Sequence, residues 1–121
     1  MLQQRIVGVG VDVVEVGRLA RLRGGRRDVL GHVCRPEELV GAIDDDRAAS
    51  LWSGKEAVAK AIGTGLWQAG VDWKDIAIDR ASRVTLWGEA ARLAGATRVE
   101  VAFARRGALM VAVAVRREVA L

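Results

Sequence analysis

The sequence has no tyrosine and a single phenylalanine, Phe103; Trp52, Trp67, Trp73 and Trp87 complete its aromatics. The core must therefore be aliphatic, and 51% of the residues are apolar, enough to build one and to disfavour intrinsic disorder. No apolar run approaches the roughly 20 residues a membrane-spanning helix needs. Met1 to Val16 has apolar character, but Arg5, Asp12 and Glu15 interrupt it and no cleavage-site pattern follows, so it does not read as a signal peptide. Cys34 stands alone, which excludes an internal disulfide and a cysteine-based zinc cluster. The expectation is a cytoplasmic protein. Its 121 residues predict a single domain over 1–121 with one core.

What is present is arginine. The net charge is +4, and Arg18, Arg21, Arg23, Arg26 and Arg27 fall within ten residues before Asp28 supplies an acid. Such a cluster is either the solvated face of a helix or a surface that attracts a phosphate compound, nucleic acid or an acidic protein. The usual sequence motifs for reading nucleic acid are absent.

The run Ile6 to Val14 is rich in β-branched residues and predicts a buried strand, with Asp12 as its odd member. Val16, Leu19, Ala20 and Leu22 then form a helical stripe that Gly24-Gly25 ends. Pro36-Glu37-Glu38 predicts a helix start, running to about Asp44. Asp44-Asp45-Asp46 caps the next helix, Arg47 to about Ile62, stopped by Gly63-Thr64-Gly65. The second half alternates as strands do: Trp73 to Asp79, Arg83 to Trp87, Arg98 to Ala104 and Ala108 to Val115, with a helix over Gly88 to Gly95. Arg105-Arg106-Gly107 reads as the turn of the last hairpin. Strand, helices, then strands with one inserted helix predicts an α+β domain.

Three features bear on chemistry. Asp12 in its apolar strand is costly unless something pairs with it, or unless it caps the helix that follows. Glu56 and Lys60, four apart in one helix, share a face and form either a surface pair or part of a site. Gly63-Thr64-Gly65 is either a helix stop or a backbone that approaches a ligand closely.

Their order and spacing carry a resemblance. Gly8-Val9-Gly10-Val11-Asp12-Val13-Val14-Glu15-Val16 with Arg18 resembles the opening strand and helix of the holo-acyl-carrier-protein synthases, a family of 4′-phosphopantetheinyl transferases. Trp52-Ser53-Gly54-Lys55-Glu56-Ala57-Val58-Ala59-Lys60-Ala61-Ile62-Gly63-Thr64-Gly65 is similar to that family's second and more specific signature, and Trp73-Lys74-Asp75-Ile76 to the strand that follows it. The resemblance implies a 4′-phosphopantetheinyl transferase fold, with an antiparallel sheet packed against a long central helix. It implies transfer of 4′-phosphopantetheine from coenzyme A to a serine of an acyl carrier protein, releasing 3′,5′-ADP. Asp12 and Glu56 match the family's Mg²⁺ ligands, a set that suits an ion favouring one or two carboxylates plus phosphate oxygens and water. Lys60 matches its phosphate-side lysine, and Glu56 or a metal-bound water is the implied base. Lys55, Lys60, Gly63, Thr64 and Gly65 are the implied coenzyme A contacts. Arg18 and Arg21 are the implied contacts for the acidic carrier protein. The resemblance also implies a homotrimer with shared active sites, with Val111 to Val115 available for the contact between subunits.

The chain departs from the family at defined places. Leu51 stands where an arginine is usual, and Glu100-Val101-Ala102-Phe103 replaces a Ser-x-Thr-His strand end. Ala81-Ser82-Arg83 replaces a Gly-x-Pro. Arg80, Arg83, Arg105 and Arg106 are the cations that could serve the nucleotide instead. These departures also admit a relative that binds a carrier protein, or its acyl-pantetheine arm, without transferring it. The lone histidine, His32, reads as a surface or helix-end residue.

Overall fold

The computed structural model describes residues 4–25, 28–63 and 70–119. The β-branched run forms strand β1 (Ile6–Glu15), which passes directly into helix α1 (Val16–Arg23). A short helix α2 (Val29–Val33), not predicted from the sequence, starts where the Asp28 carboxylate accepts a hydrogen bond from the Gly31 N–H. His32 lies exposed in its last turn. The long helix α3 (Asp45–Ile62) starts with the Asp44 carboxylate accepting from the Arg47 N–H, and it ends at Gly63, whose φ of 102° suits glycine. Strands β2 (Ile76–Ile78) and β3 (Val84–Leu86), helix α4 (Gly88–Ala94), and strands β4 (Thr97–Arg106) and β5 (Leu109–Glu118) complete the order.

All three strands of the main sheet are antiparallel, in the order β1-β5-β4, while β2 and β3 pair as a separate ribbon. Helix α3 lies across the main sheet, as the α+β reading predicts. Two glycines of β1 set how close it lies. A Cβ on Gly10 would stand 1.9 Å from the Ala57 carbonyl oxygen, and one on Gly8 would stand 2.1 Å from that of Ala61. The helix backbone thus rests directly on the strand, which a side chain at either position would prevent. On the helix side, Gly54 leaves room for Ile78 and Phe103, whose atoms a Cβ there would meet at 2.5 Å and 2.8 Å. Leu51, Val58, Ile76, Ile78, Ala112 and Ala114 are completely buried between these layers. Burying a branched aliphatic side chain of this kind contributes about 1.5–3 kcal/mol.

The structure differs from the sequence reading in three elements. Strand β1 is covered on one face only: Gly10 and Asp12 face α3, whereas Val9, Val11 and Val13 are 56%, 48% and 51% exposed. A valine run specifies a strand without saying how many of its faces have a partner. The helix expected over 36–44 is a single 3-10 turn, Pro36–Leu39. Beyond it the carbonyls of Val40 and Ala42 accept from Arg80, those of Ile43 and Asp44 accept from Arg23, and Gly41 turns with φ 83°. Long-range arginines take the acceptors a helix would have used. Trp73–Asp75 is likewise a 3-10 turn, started by the Asp72 carboxylate, so only Ile76–Ile78 of the expected strand is extended.

Candidate active site

Asp12 follows Gly10 by two residues and pairs with Ala112, so its side chain points from the sheet toward α3. The contacts of Gly8 with Ala61 and Gly10 with Ala57 run the strand and helix in opposite directions, which brings Asp12 under the middle of the helix. There Trp52, Glu56 and Lys60, spaced by four, share one helical face. The Lys60 ammonium donates to Asp12 Oδ1 at 3.2 Å and to the Val11 carbonyl at 3.0 Å. Two simpler readings of these residues therefore fail. Asp12 does not cap α1, whose start at Glu15 carries no side-chain cap, and the ion-pair partner of Lys60 among the described residues is Asp12 rather than Glu56.

Asp12 and Glu56 line one cleft of about 390 Å³, with Glu15, Arg18, Leu19, Leu22 and Trp52 around them. The Glu56 carboxyl is held above the usual carboxylate range, first by burial and then by the negative charge of Asp12, while Lys60 opposes the shift. The cleft gathers three carboxylates, Asp12, Glu15 and Glu56, with Arg18 as the cation in its lining. Two carboxylates lining one cleft are the donor set that Mg²⁺ takes alongside waters and phosphate oxygens. Arg18 is exposed at this cleft, and Arg21, also exposed, makes only a loose 3.6 Å pair with Glu15. Arg23 is committed to the fold through Asp45 and the backbone before α3.

Of the residues expected to contact coenzyme A, Lys55 requires correction. Its side chain is 0% exposed and points away from the cleft, with the ammonium 2.8 Å from Glu38 Oε1 and donating to the carbonyls of Trp73 and Ile76. A charge so enclosed is a structural link. Gly63 is exposed at the end of α3, the same helix that carries Lys60. Thr64 and Gly65 lie outside the described residues. The positions that depart from the family pattern, Leu51 and Phe103, are core: Leu51 is buried and Phe103 packs over Gly54. Among the arginines offered as substitutes, Arg80 and Arg105 already serve the fold, Arg80 on two carbonyls and Arg105 on Asp46 and the Gly107 carbonyl.

Sequence reasoning did not single out the cleft wall of Trp52, Leu22 and Glu15. The spacing of Trp52 from Glu56 was the available signal, since residues four apart stack on a helix. It also overlooked Glu38, whose partner Lys55 is 17 residues away.

Comparison with known proteins bears on the family. The 4′-phosphopantetheinyl transferase superfamily matches residues 8–110, from the first glycine of β1 to the start of β5. The holo-acyl-carrier-protein synthase of Anaeromyxobacter dehalogenans is 36% identical over 121 residues, covering 88% of this chain and 92% of that protein. The synthase of Koribacter versatilis is 40% identical over 83 residues, and there the match spans 62% of this chain and 63% of the relative's length. The crystal structure of the Neisseria meningitidis synthase superposes with a TM-score of 0.75 at 27% identity, covering 93% of this chain and 98% of that one. A glycine-floored strand aspartate, a facing mid-helix glutamate and a sequence match that encloses both lead to one assignment: the chain belongs to the 4′-phosphopantetheinyl transferase superfamily.

Proposed function

We propose that this protein transfers 4′-phosphopantetheine from coenzyme A to a serine of an acyl carrier protein, in a reaction that depends on Mg²⁺ and releases 3′,5′-ADP. The observation that carries the reading is that Asp12 and Glu56 open into one cleft beside Lys60. Asp12 and Glu56 would hold Mg²⁺, which when bound would supply positive charge to offset that of the diphosphate. Lys60 uses two of its three N–H donors on Asp12 and Val11, and the third is available to a phosphate oxygen. As the serine oxygen attacks the β-phosphorus, the P–O bond to the departing 3′,5′-ADP breaks, and Lys60 offsets the charge that accumulates. Glu56 takes the serine proton, directly or through one water. Leu19, Leu22 and Trp52 form an apolar wall beside this chemistry.

Arg18 presents positive charge at the cleft and Arg21 beside it, next to Glu15, where an acidic carrier protein would dock; such contacts chiefly set on-rate and partner choice. The uncovered valines of β1 and β5 supply an apolar face for self-association, and we assign it to the homotrimer.

The direct test is the mass of an apo acyl carrier protein incubated with coenzyme A, Mg²⁺ and this enzyme. The expected result is a gain of one phosphopantetheine, with the rate reduced about 10²–10⁴-fold by Glu56→Ala. A carrier that binds the protein but never gains mass would identify a non-catalytic relative instead, a reading that the replacement of the family histidine by Phe103 favours.

A further inference from the structure

The buried pair of Lys55 and Glu38 is not used by the chemistry above, yet it is the most enclosed charged group in the described chain. All three donors of the ammonium are taken, and both carboxylate oxygens accept. Glu38 Oε1 accepts from the Lys55 ammonium and from the Arg35 N–H at 2.9 Å, and Oε2 accepts from the Ile78 N–H at 2.9 Å. The ammonium completes its set with the carbonyls of Trp73 and Ile76. The pair therefore ties α3 to the 3-10 turn at Pro36, to the turn at Trp73 and to β2.

Its position on the helix gives it a consequence for the site. At about 100° per residue, Lys55 and Ala57 lie on nearly opposite sides of α3, with Glu56 about 100° from each. Ala57 is fixed against Gly10 of β1, where no Cβ intervenes, and Lys55 is fixed on the other side by Glu38. Two anchors on opposite sides prevent rotation of the helix about its axis. The group whose direction they determine is Glu56, which faces the cleft with Asp12.

We infer that Lys55 is a positioning residue: with Glu38 it fixes the rotation of α3 that aims Glu56 at Asp12. The inference rests on the reading of Asp12 and Glu56 as metal-holding residues. Lys55 touches no substrate and acts only through Glu56. Partners that orient a metal-holding group change metal affinity about 10–100-fold when removed.

The test compares wild type, Lys55→Met and Glu38→Gln by Mn²⁺ titration followed by electron paramagnetic resonance, without substrate, and by the Mg²⁺ dependence of transfer. Expected are a Mn²⁺ dissociation constant raised about tenfold in folded Lys55→Met, a smaller rise in Glu38→Gln, and a matching rise in the Mg²⁺ concentration for half-maximal rate. Coenzyme A KM at saturating Mg²⁺ should change far less. Should Lys55→Met fail to fold, Glu38→Gln, which keeps the side-chain size and one of the two acceptor oxygens, carries the same readouts. Variants that lose only melting temperature, with Mn²⁺ affinity per folded molecule unchanged, would overturn the inference. Glu56→Gln in the same titration separates the two levels: Mn²⁺ affinity equal to wild type there would mean that the reading of Glu56 itself fails.

Discussion

Single residues in this protein show how environment decides the role of a side chain. Lys55 and Lys60 belong to one helix and one motif, yet one is completely enclosed and the other reaches the cleft. Cys34 shows the same control by surroundings: burial pushes its thiol up from 9.0 to about 11, against the smaller opposing effect of Lys55. Between those two pH values the unfolded chain loses the thiol proton while the folded chain keeps it, so stability is full below about 9 and declines as pH rises toward 11. Denaturant titrations of wild type and Cys34→Ala should therefore differ in slope across that window, with wild type losing on the order of 2 kcal/mol more. Equal slopes would show that the thiol ionises as freely folded as unfolded. Ser82 is a separate case. Its φ of 63° makes it the one non-glycine residue in the left-handed region among those described. Ser82→Gly should raise stability by about 1 kcal/mol, read as an increase in melting temperature. No gain would mean that the serine side chain compensates for its backbone.

At the scale of elements, the contact of β1 with α3 does the most to build the site. The 1.9 Å clearance at Gly10 leaves no room for a methyl group, so Gly10→Ala must lift the helix from the strand. Overpacking of this kind costs about 1–3 kcal/mol, and here it should also weaken transfer, because Glu56 travels with the helix. Calorimetry with kinetics on the same sample checks both; a destabilised variant with unchanged Mg²⁺ dependence would separate the contact from the site. This contact also shows what the sequence could and could not convey. Asp44 at the start of α3, Gly63 at its end and Gly107 in the last hairpin announce their elements through local chemistry, and the structure has them there. Asp12, Glu56 and Lys60 stood out by local pattern, as an acid in an apolar strand and a pair four apart on a helix, but it was the family resemblance that joined them as one site. The segment 36–44 was not, because its carbonyls are claimed by Arg80 and Arg23 from distant parts of the chain. Lys55 was misread because its partner Glu38 is remote in sequence, although the helical period already separates it from the face of Glu56 and Lys60.

At the scale of the whole molecule, a three-stranded sheet has a helix on one face and valines on the other. No helix in the described residues is long and apolar enough to cross a membrane. The valine face is the one proposed above for self-association. Val11→Glu places a charge in its middle and, if the proposed trimer forms there, should leave a monomer by light scattering, with transfer lost alongside it. A monomer that keeps full activity would separate assembly from catalysis. Above all, the account requires Asp12 and Glu56 to grip the same ion. The measurement is anomalous scattering from crystals soaked with Mn²⁺ and coenzyme A: one peak bonded to both carboxylates is predicted, and a peak bonded to neither, or an empty cleft with coenzyme A bound, would contradict it.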